Sequence, residues 1–474
     1  MQMSSPQPQL LSPDQTSQIH QAVLGVLSRI GVHMTEPASL KLLHDAGADI
    51  SDTTHVKIPE PLVEKAIKQA PENVIIYDRN GSEALDLGGS RFYFGAHGDC
   101  QDILDPLTAK RRRYFAKDAA DVARVCDALD NICFISLNGF AADCVDPALA
   151  APLVFAQMVR NTTKPLGFGC AEEVFDDVID VACVVVGGRD QLRARPFFYH
   201  YSEPTTPLVH SDPSLRRLIK SVEAGIPIVY TPMLMMGATA PCSKSGTLIV
   251  ACADSLVGLV IAQLLRPGAP FIFGGIPSIM DMQTTVCSYG APEMLSMVMA
   301  LTDMAHFYHL PMFGTAGCTD AKRIDQQAAV EASLSCHCAV LAGANLVHDV
   351  GLIDHADMVS AEMIILTDEI ISMVTRTAQP IDTADVDSVM DLIEQVGPGG
   401  HFLTAEHTLA NFRKIWMPSL MDRTRHNVAA SAGLGSFSEK LKAKATQLMA
   451  EHKPQPISPS IQAQLSAKIA KWLK

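Results

Sequence analysis

From about residue 117 the chain repeats one rhythm, a helical stretch followed by a short apolar run that ends in polar residues. The predicted helix 117–129 leads into 132–137 (ICFISL), and 147–160 leads into 165–170 (PLGFGC). The pattern continues with 174–186 into 197–201, 212–224 into 227–230, and 244–265 into 270–274. It ends with 292–308 into 311–314, 325–341 into 344–348, and a last helix over 361–376. That makes seven strand–helix units at spacings of roughly 30 to 45 residues. The strands are continuously apolar rather than alternating, as parallel strands covered on both faces require. Regular βα repetition over this length defines a closed barrel or a doubly wound sheet. No Gly-x-Gly-x-x-Gly follows the first strand, which removes the signature of a dinucleotide-binding sheet. The expected fold is therefore an α/β (β/α)8 TIM barrel. Its eighth strand is expected from the 74–105 region or near Phe140.

The barrel does not use the whole chain. Residues 1–13 read as a flexible N-terminus, 14–116 as a helical cap with a small antiparallel sheet, 117–380 as the barrel and 381–474 as a C-terminal helical extension. Ser12-Pro13-Asp14 opens a helix with Ile19, Val23, Leu27 and Ile30 on one face, and Gly31 closes it. Shorter helices are predicted over 37–46 and 59–69, and strands of the small sheet over 74–77 and 91–94. The stretch 440–452 is charged and amphipathic.

Composition excludes several classes of function. A hydrophobic content of 48% supplies a large core, and a net charge of -14 repels nucleic acid. The one basic run, Lys110 to Arg113, reads as a solvated loop, with a docking patch for an acidic partner as the alternative. Twelve cysteines are present; Cys126, Cys133, Cys183 and Cys252 lie in apolar runs, as buried thiols of a reducing compartment do. Cys336-His337-Cys338 falls on a predicted helix, where residues two apart diverge and do not share one ion. The stretch 247–265 approaches bilayer-crossing length, but Asp254, Ser255 and Gly258 mark it as a buried barrel helix. The first dozen residues lack the basic start and apolar middle of a signal peptide. The expectation is a cytoplasmic protein without membrane or nucleic-acid partners.

A barrel enzyme places its reacting groups at the carboxyl ends of its strands. Here those ends offer Asn138, Cys170 with Glu172, His200, Tyr201, Glu203, Tyr230, Thr231, Gly274, Gly275, Thr315, Cys318, Asp320, His348 and Asp349. Tyrosine faces beside carboxylates suit a quaternary ammonium ion, whose methyl groups donate no ordinary hydrogen bonds. Glu203 and Asp320 suit the charge, and Tyr93, Tyr201, Tyr230 and Tyr289 the cage. Gly274, Gly275, Gly314 and Gly317 either leave a bare rim that a flat, bulky cofactor can approach or form tight βα turns.

The run Gly314-Thr315-Ala316-Gly317-Cys318-Thr319-Asp320-Ala321-Lys322, with Asp325-Gln326-Gln327-Ala328 and Glu331, resembles the trimethylamine methyltransferase family. So do residues 341–351, from Leu341 through Asn345, His348 and Asp349 to Gly351, and Ile30-Gly31-Val32, Ala46-Gly47-Ala48, Ile58-Pro59, Asp78-Arg79, Asp105-Pro106 and residues 127–132, in that family's order. The family's founding enzymes use pyrrolysine to activate trimethylamine; this sequence has none, and the equivalent position falls near Thr315–Asp320. The resemblance thus implies the non-pyrrolysine branch, similar to glycine betaine:corrinoid protein methyltransferases. It implies a small quaternary amine as methyl donor and cob(I)alamin, carried by a separate corrinoid protein, as acceptor, with no bound metal.

A quaternary nitrogen already carries the charge that makes its methyl transferable, so no extra activating residue is required, and the cobalt supplies the nucleophile. The protein must hold the two in line. On this expectation Glu203, His348 and Asp320 are catalytic, and Tyr93, His200, Tyr201, Tyr230, Tyr289 and Thr315 bind substrate. His348, with His200, holds the substrate carboxylate or faces the corrin; Gly274, Gly275, Gly314 and Gly317 meet the cofactor. Two other readings stand beside it. One is a zinc-dependent methyltransferase using Cys318, His348 and either Glu203 or Cys170. The other is a non-catalytic betaine-binding protein on the same barrel. The helical ends and large apolar fraction suggest a homo-oligomer.

Overall fold

Eight parallel strands close into a barrel in chain order: β1 (Tyr93–Ala96), β2 (Ile132–Ser136), β3 (Leu166–Phe168), β4 (Phe198–Ser202), β5 (Ile228–Tyr230), β6 (Phe271–Gly274), β7 (Met312–Thr315) and β8 (Leu346–Val350). The ring shuts where β8 pairs with β1, Leu346 opposite Tyr93. This computed structural model describes residues 8–96, 100–137, 139–428 and 433–472; Asn138 and the ends 1–7 and 473–474 lie outside the described residues. The expected barrel is present, and its missing strand comes from the 74–105 region. Tyr93–Ala96 is therefore not part of a small antiparallel sheet. Phe92 and Phe94 pack outward in the helical layer while Tyr93 joins the inward cluster, as a barrel strand covered on both sides requires.

Inside the barrel, rings sit beside glycines. Phe134, Tyr199, Val229, Ile272, Phe313 and Leu346 point inward and form one cluster. A Cβ on Gly95 would lie 2.4 Å from the Phe134 ring, and one on Gly167 would lie 2.3 Å from the Tyr199 hydroxyl. Only glycine fits at these two points, because the interior is filled to crystal-like density. The hairpin Val74–Tyr77/Glu83–Leu87 adds Val74, Ile76, Leu85 and Leu87 to the same cluster. Tyr77 donates to the Pro196 carbonyl just before β4, so this hairpin plugs the amino-terminal end of the barrel.

The helix Lys244–Leu265 is apolar and long enough to cross a membrane, yet 83% of its most apolar window is buried in the protein. Its polar residues are spent internally. Ser255 donates to the Tyr230 carbonyl at 3.0 Å, and Asp254 accepts the Leu208 N–H at 3.1 Å. The expected basic loop is a strand instead: Arg111–Arg113 pairs with Asp102–Leu104. Arg111 bonds Asp102 and Asp354, and Arg112 bonds Asp105 and Asp118, so these charges are neutralised locally. Helix Phe437–Glu451 packs on Ala116–Asp127 and Ala361–Thr377, and Pro459–Trp472 packs on Ala150–Asn161 and Phe175–Val186.

Candidate active site

Since every strand runs the same way, all eight carboxyl ends share one face, and a cavity of about 750 Å³ opens there. Alternation along β4 sends Tyr199 and Tyr201 inward and His200 outward. Tyr201 and Glu203 consequently face the cavity together, and the Tyr201 hydroxyl donates to a Glu203 carboxylate oxygen. From β8 come His348 and Asp349. The His348 ring stacks on Phe313 with centroids 3.9 Å apart, and its Nδ1 donates to the Gly314 carbonyl at 2.7 Å. That bond fixes the ring and turns Nε2 toward Asp349 Oδ1, 3.3 Å away. Asp349 itself is held at φ 77°, in the left-handed region. A non-glycine residue kept there by its surroundings is a mark of functional sites.

Tyr289 completes the aromatic wall. Burial, then the nearby Asp349, Cys318, Cys287 and Glu203, push its phenol well above the usual range, so it stays neutral. Asp320 does not line the cavity. Its carboxylate accepts the Tyr289 N–H at 2.7 Å, the Ser288 hydroxyl and His355 Nδ1 at 3.0 Å, which makes it the residue that positions Tyr289.

The remaining expected residues lie elsewhere. Tyr93 begins β1 at the plugged end, where its hydroxyl accepts the Asp86 N–H at 3.4 Å. Tyr230 faces outward from β5 and bonds His210 Nδ1 at 2.9 Å; a Cβ on Gly258 would lie 2.3 Å from its ring. His200 is buried outside the barrel against Phe175, with Nδ1 on the Phe168 carbonyl at 3.0 Å. Burial pushes its pKa down to about 3, so it is neutral. Thr315 is buried opposite His348 in the β7–β8 register and does not line the cavity.

The four glycines face protein rather than an open rim. Added Cβ atoms would meet the Phe313 carbonyl at 2.6 Å from Gly274, Leu301 at 2.8 Å from Gly275, Ala344 at 2.8 Å from Gly314 and Thr367 at 2.9 Å from Gly317. They serve close packing and, at Gly317 with φ 82°, a tight turn. As for zinc, no three His, Cys, Asp or Glu residues gather as a metal site among the described residues.

Two cavity residues were given no role by the sequence. Asp349 was visible only as a polar strand end. Arg217 lies on helix Asp212–Ala224 between the buried Ser214 and Ser221, so its side chain falls on the core-facing stripe and reaches the cavity. An arginine on such a stripe is a signal readable from periodicity alone.

A parallel barrel with a cavity at its carboxyl mouth, lined by Tyr201, Glu203, Tyr289 and Asp349, is the architecture of a barrel enzyme. Residues 1–473 match the model of the trimethylamine methyltransferase (MTTB) family, and the chain belongs to that family. It is a methyltransferase. It is 30% identical over 456 residues to the trimethylamine methyltransferase MttB of Desulfitobacterium hafniense (strain DSM 10664 / DCB-2), covering 96% of this chain and 92% of that one. It is 28% identical over 469 residues to a glycine betaine methyltransferase of D. hafniense (strain Y51), covering 98% and 97%. Among solved structures it is similar to the monomethylamine methyltransferase of Methanosarcina barkeri, with a TM-score of 0.51, 12% identity, and coverage of 95% of this chain and 89% of that one. At that identity the likeness concerns the fold.

Proposed function

We propose that this enzyme takes a methyl group from a quaternary amine, glycine betaine foremost, and passes it to cob(I)alamin carried by a separate corrinoid protein in the cytoplasm. The observation that carries the reading is the Tyr201–Glu203 pair, a negative charge and an aromatic face on one cavity wall, with Tyr289 and His348 also in the lining. A quaternary ammonium is bound by that combination and by little else, since it offers charge and methyl groups but no N–H. The family relationship supports methyl transfer, and a relative named for glycine betaine supports the quaternary class.

In the reaction the C–N bond breaks and its electron pair stays on nitrogen, giving a neutral tertiary amine. A reduced cobalt presented by the carrier would supply the electron pair that receives the methyl. No proton has to move, so the protein's residues work by grip and alignment. Glu203 holds the cation, Tyr201 fixes the carboxylate that does so, and Tyr289 and the His348 ring limit the positions the methyls can take.

The test is methyl transfer to free cob(I)alamin, followed by its absorbance change, with glycine betaine, γ-butyrobetaine, carnitine, proline betaine and trimethylamine as donors. Turnover with a quaternary donor and none with trimethylamine is expected. Tight betaine binding without any transfer would instead identify a binding protein.

A further inference from the structure

Arg217 is the cavity's unmatched charge. Its guanidinium Nε is buried and has no hydrogen-bond partner, and no ion pair reaches it among the described residues. The nearby Glu172 and Asp176 are committed elsewhere. Glu172 pairs with Arg216 at 3.5 Å and with Lys220 at 3.3 Å, and Lys220 also holds Asp176 at 3.0 Å. The groups beside Arg217 in the cavity lining are neutral. Ser211 donates to Ser214 at 3.0 Å, Ser214 donates to the Glu203 carbonyl at 2.6 Å, and burial keeps the Cys170 thiol protonated. A buried cationic donor facing neutral walls is unfavourable until an anion arrives, and a guanidinium is shaped to take a carboxylate through two parallel N–H bonds. Glu172 and Glu173, the carboxylates that bear on Arg217, lie outside the cavity lining, and neither bonds it among the described residues.

We infer that Arg217 anchors the carboxylate of a zwitterionic substrate whose ammonium end lies at Glu203, so that the cavity is built for betaines rather than for plain methylated amines. The inference rests on the methyl-donor reading above but is tested by binding alone. It gives the anionic end to Arg217 and not to His348 or His200. His200 is walled off outside the barrel, and the His348 imidazole is aligned with a carboxylate of its own, Asp349. The substrate then lies between Glu203 at the end of β4 and Arg217 on helix Asp212–Ala224, gripped at both ends, with its methyls held at the Glu203 end.

Calorimetric titration of the whole protein with glycine betaine, γ-butyrobetaine, choline and tetramethylammonium decides it. The wild-type chain should bind at least one carboxylated ligand tenfold or more tightly than choline and tetramethylammonium. In R217Q the ratio of betaine to tetramethylammonium affinity should fall at least tenfold, and R217K should recover part of it. If R217Q does not fold, the wild-type panel and R217K carry the test. Equal wild-type affinities for carboxylated and uncarboxylated cations, or an unchanged ratio in folded R217Q or R217K, would overturn the assignment. Loss of methyl transfer with the binding preference intact would instead count against the transfer reading and leave Arg217 in place.

Discussion

Tyr201 and Glu203 stand two residues apart at the carboxyl end of β4, both turned into the cavity, and the tyrosine hydroxyl donates to the carboxylate. The bond spends one carboxylate oxygen on positioning and leaves the negative charge in place for a cation. E203Q keeps an acceptor for Tyr201 and removes the charge. Its KM for the quaternary donor should rise about tenfold or more, a loss of ~1.4 kcal/mol in binding. Initial rates against donor concentration check this, and an unchanged KM would remove Glu203 from the cation site.

Asp349 should separate charge from backbone. At φ 77° an asparagine is tolerated almost as well as aspartate, whereas alanine is not. Denaturant unfolding should find D349N close to wild type and D349A less stable by ~1–2 kcal/mol. Both variants should lose transfer activity, because both remove the carboxylate 3.3 Å from His348 Nε2. A D349A protein as stable as D349N would show that the left-handed backbone carries no strain.

Tyr230 offers a contrast with Tyr201. Y230F removes the hydroxyl that meets buried His210 at 2.9 Å and should cost ~1–2 kcal/mol of stability. Since the ring lies outside the barrel, kcat/KM should stay within about twofold of wild type. A large kinetic defect in a folded Y230F would return this tyrosine to the cage.

Asp254 makes stability depend on pH. It is buried in helix Lys244–Leu265, and burial pushes its pKa up to about 8 from the ordinary 3.8. The facing His210, 3.6 Å away, is pushed down to about 3 and stays neutral across that window. Below pH 4 both folded and unfolded chains hold the Asp254 proton. Between there and pH 8 the unfolded chain releases it and the folded chain keeps it, so stability falls as pH rises, by at most ~1.4 kcal/mol per unit. D254N abolishes this contribution. Melting curves at pH 5 and pH 8 should show a larger decline for wild type than for the variant; parallel declines would mean that Asp254 is not held protonated.

The barrel could be read from the sequence because its rhythm is written in many residues at once. The single-residue roles could not, and parity explains two of the differences, Tyr230 and His200. Tyr201 and Tyr230 both end apolar strands, but Val229 takes the inward position on β5 and turns Tyr230 toward the helices. His200 beside Tyr201 faces the helices, because neighbours on a strand cannot face the same side. Tyr93 differs because its strand follows directly on the hairpin, and sequence alone does not separate the two. A glycine that clears a rim and one that makes way for packed neighbours look identical in sequence, and Gly274 and Gly314 are of the second kind. Arg217 was missed, although its place on the buried stripe of an amphipathic helix is readable from periodicity.

The hairpin Val74–Tyr77/Glu83–Leu87 stoppers the far end of the barrel. Among the described residues the cavity then opens only at the carboxyl face. On the proposed reading, donor and methyl carrier would share that doorway, so the donor would have to be seated before the carrier docks. Excess carrier protein should then act as a cork, slowing turnover by closing the site while it is empty.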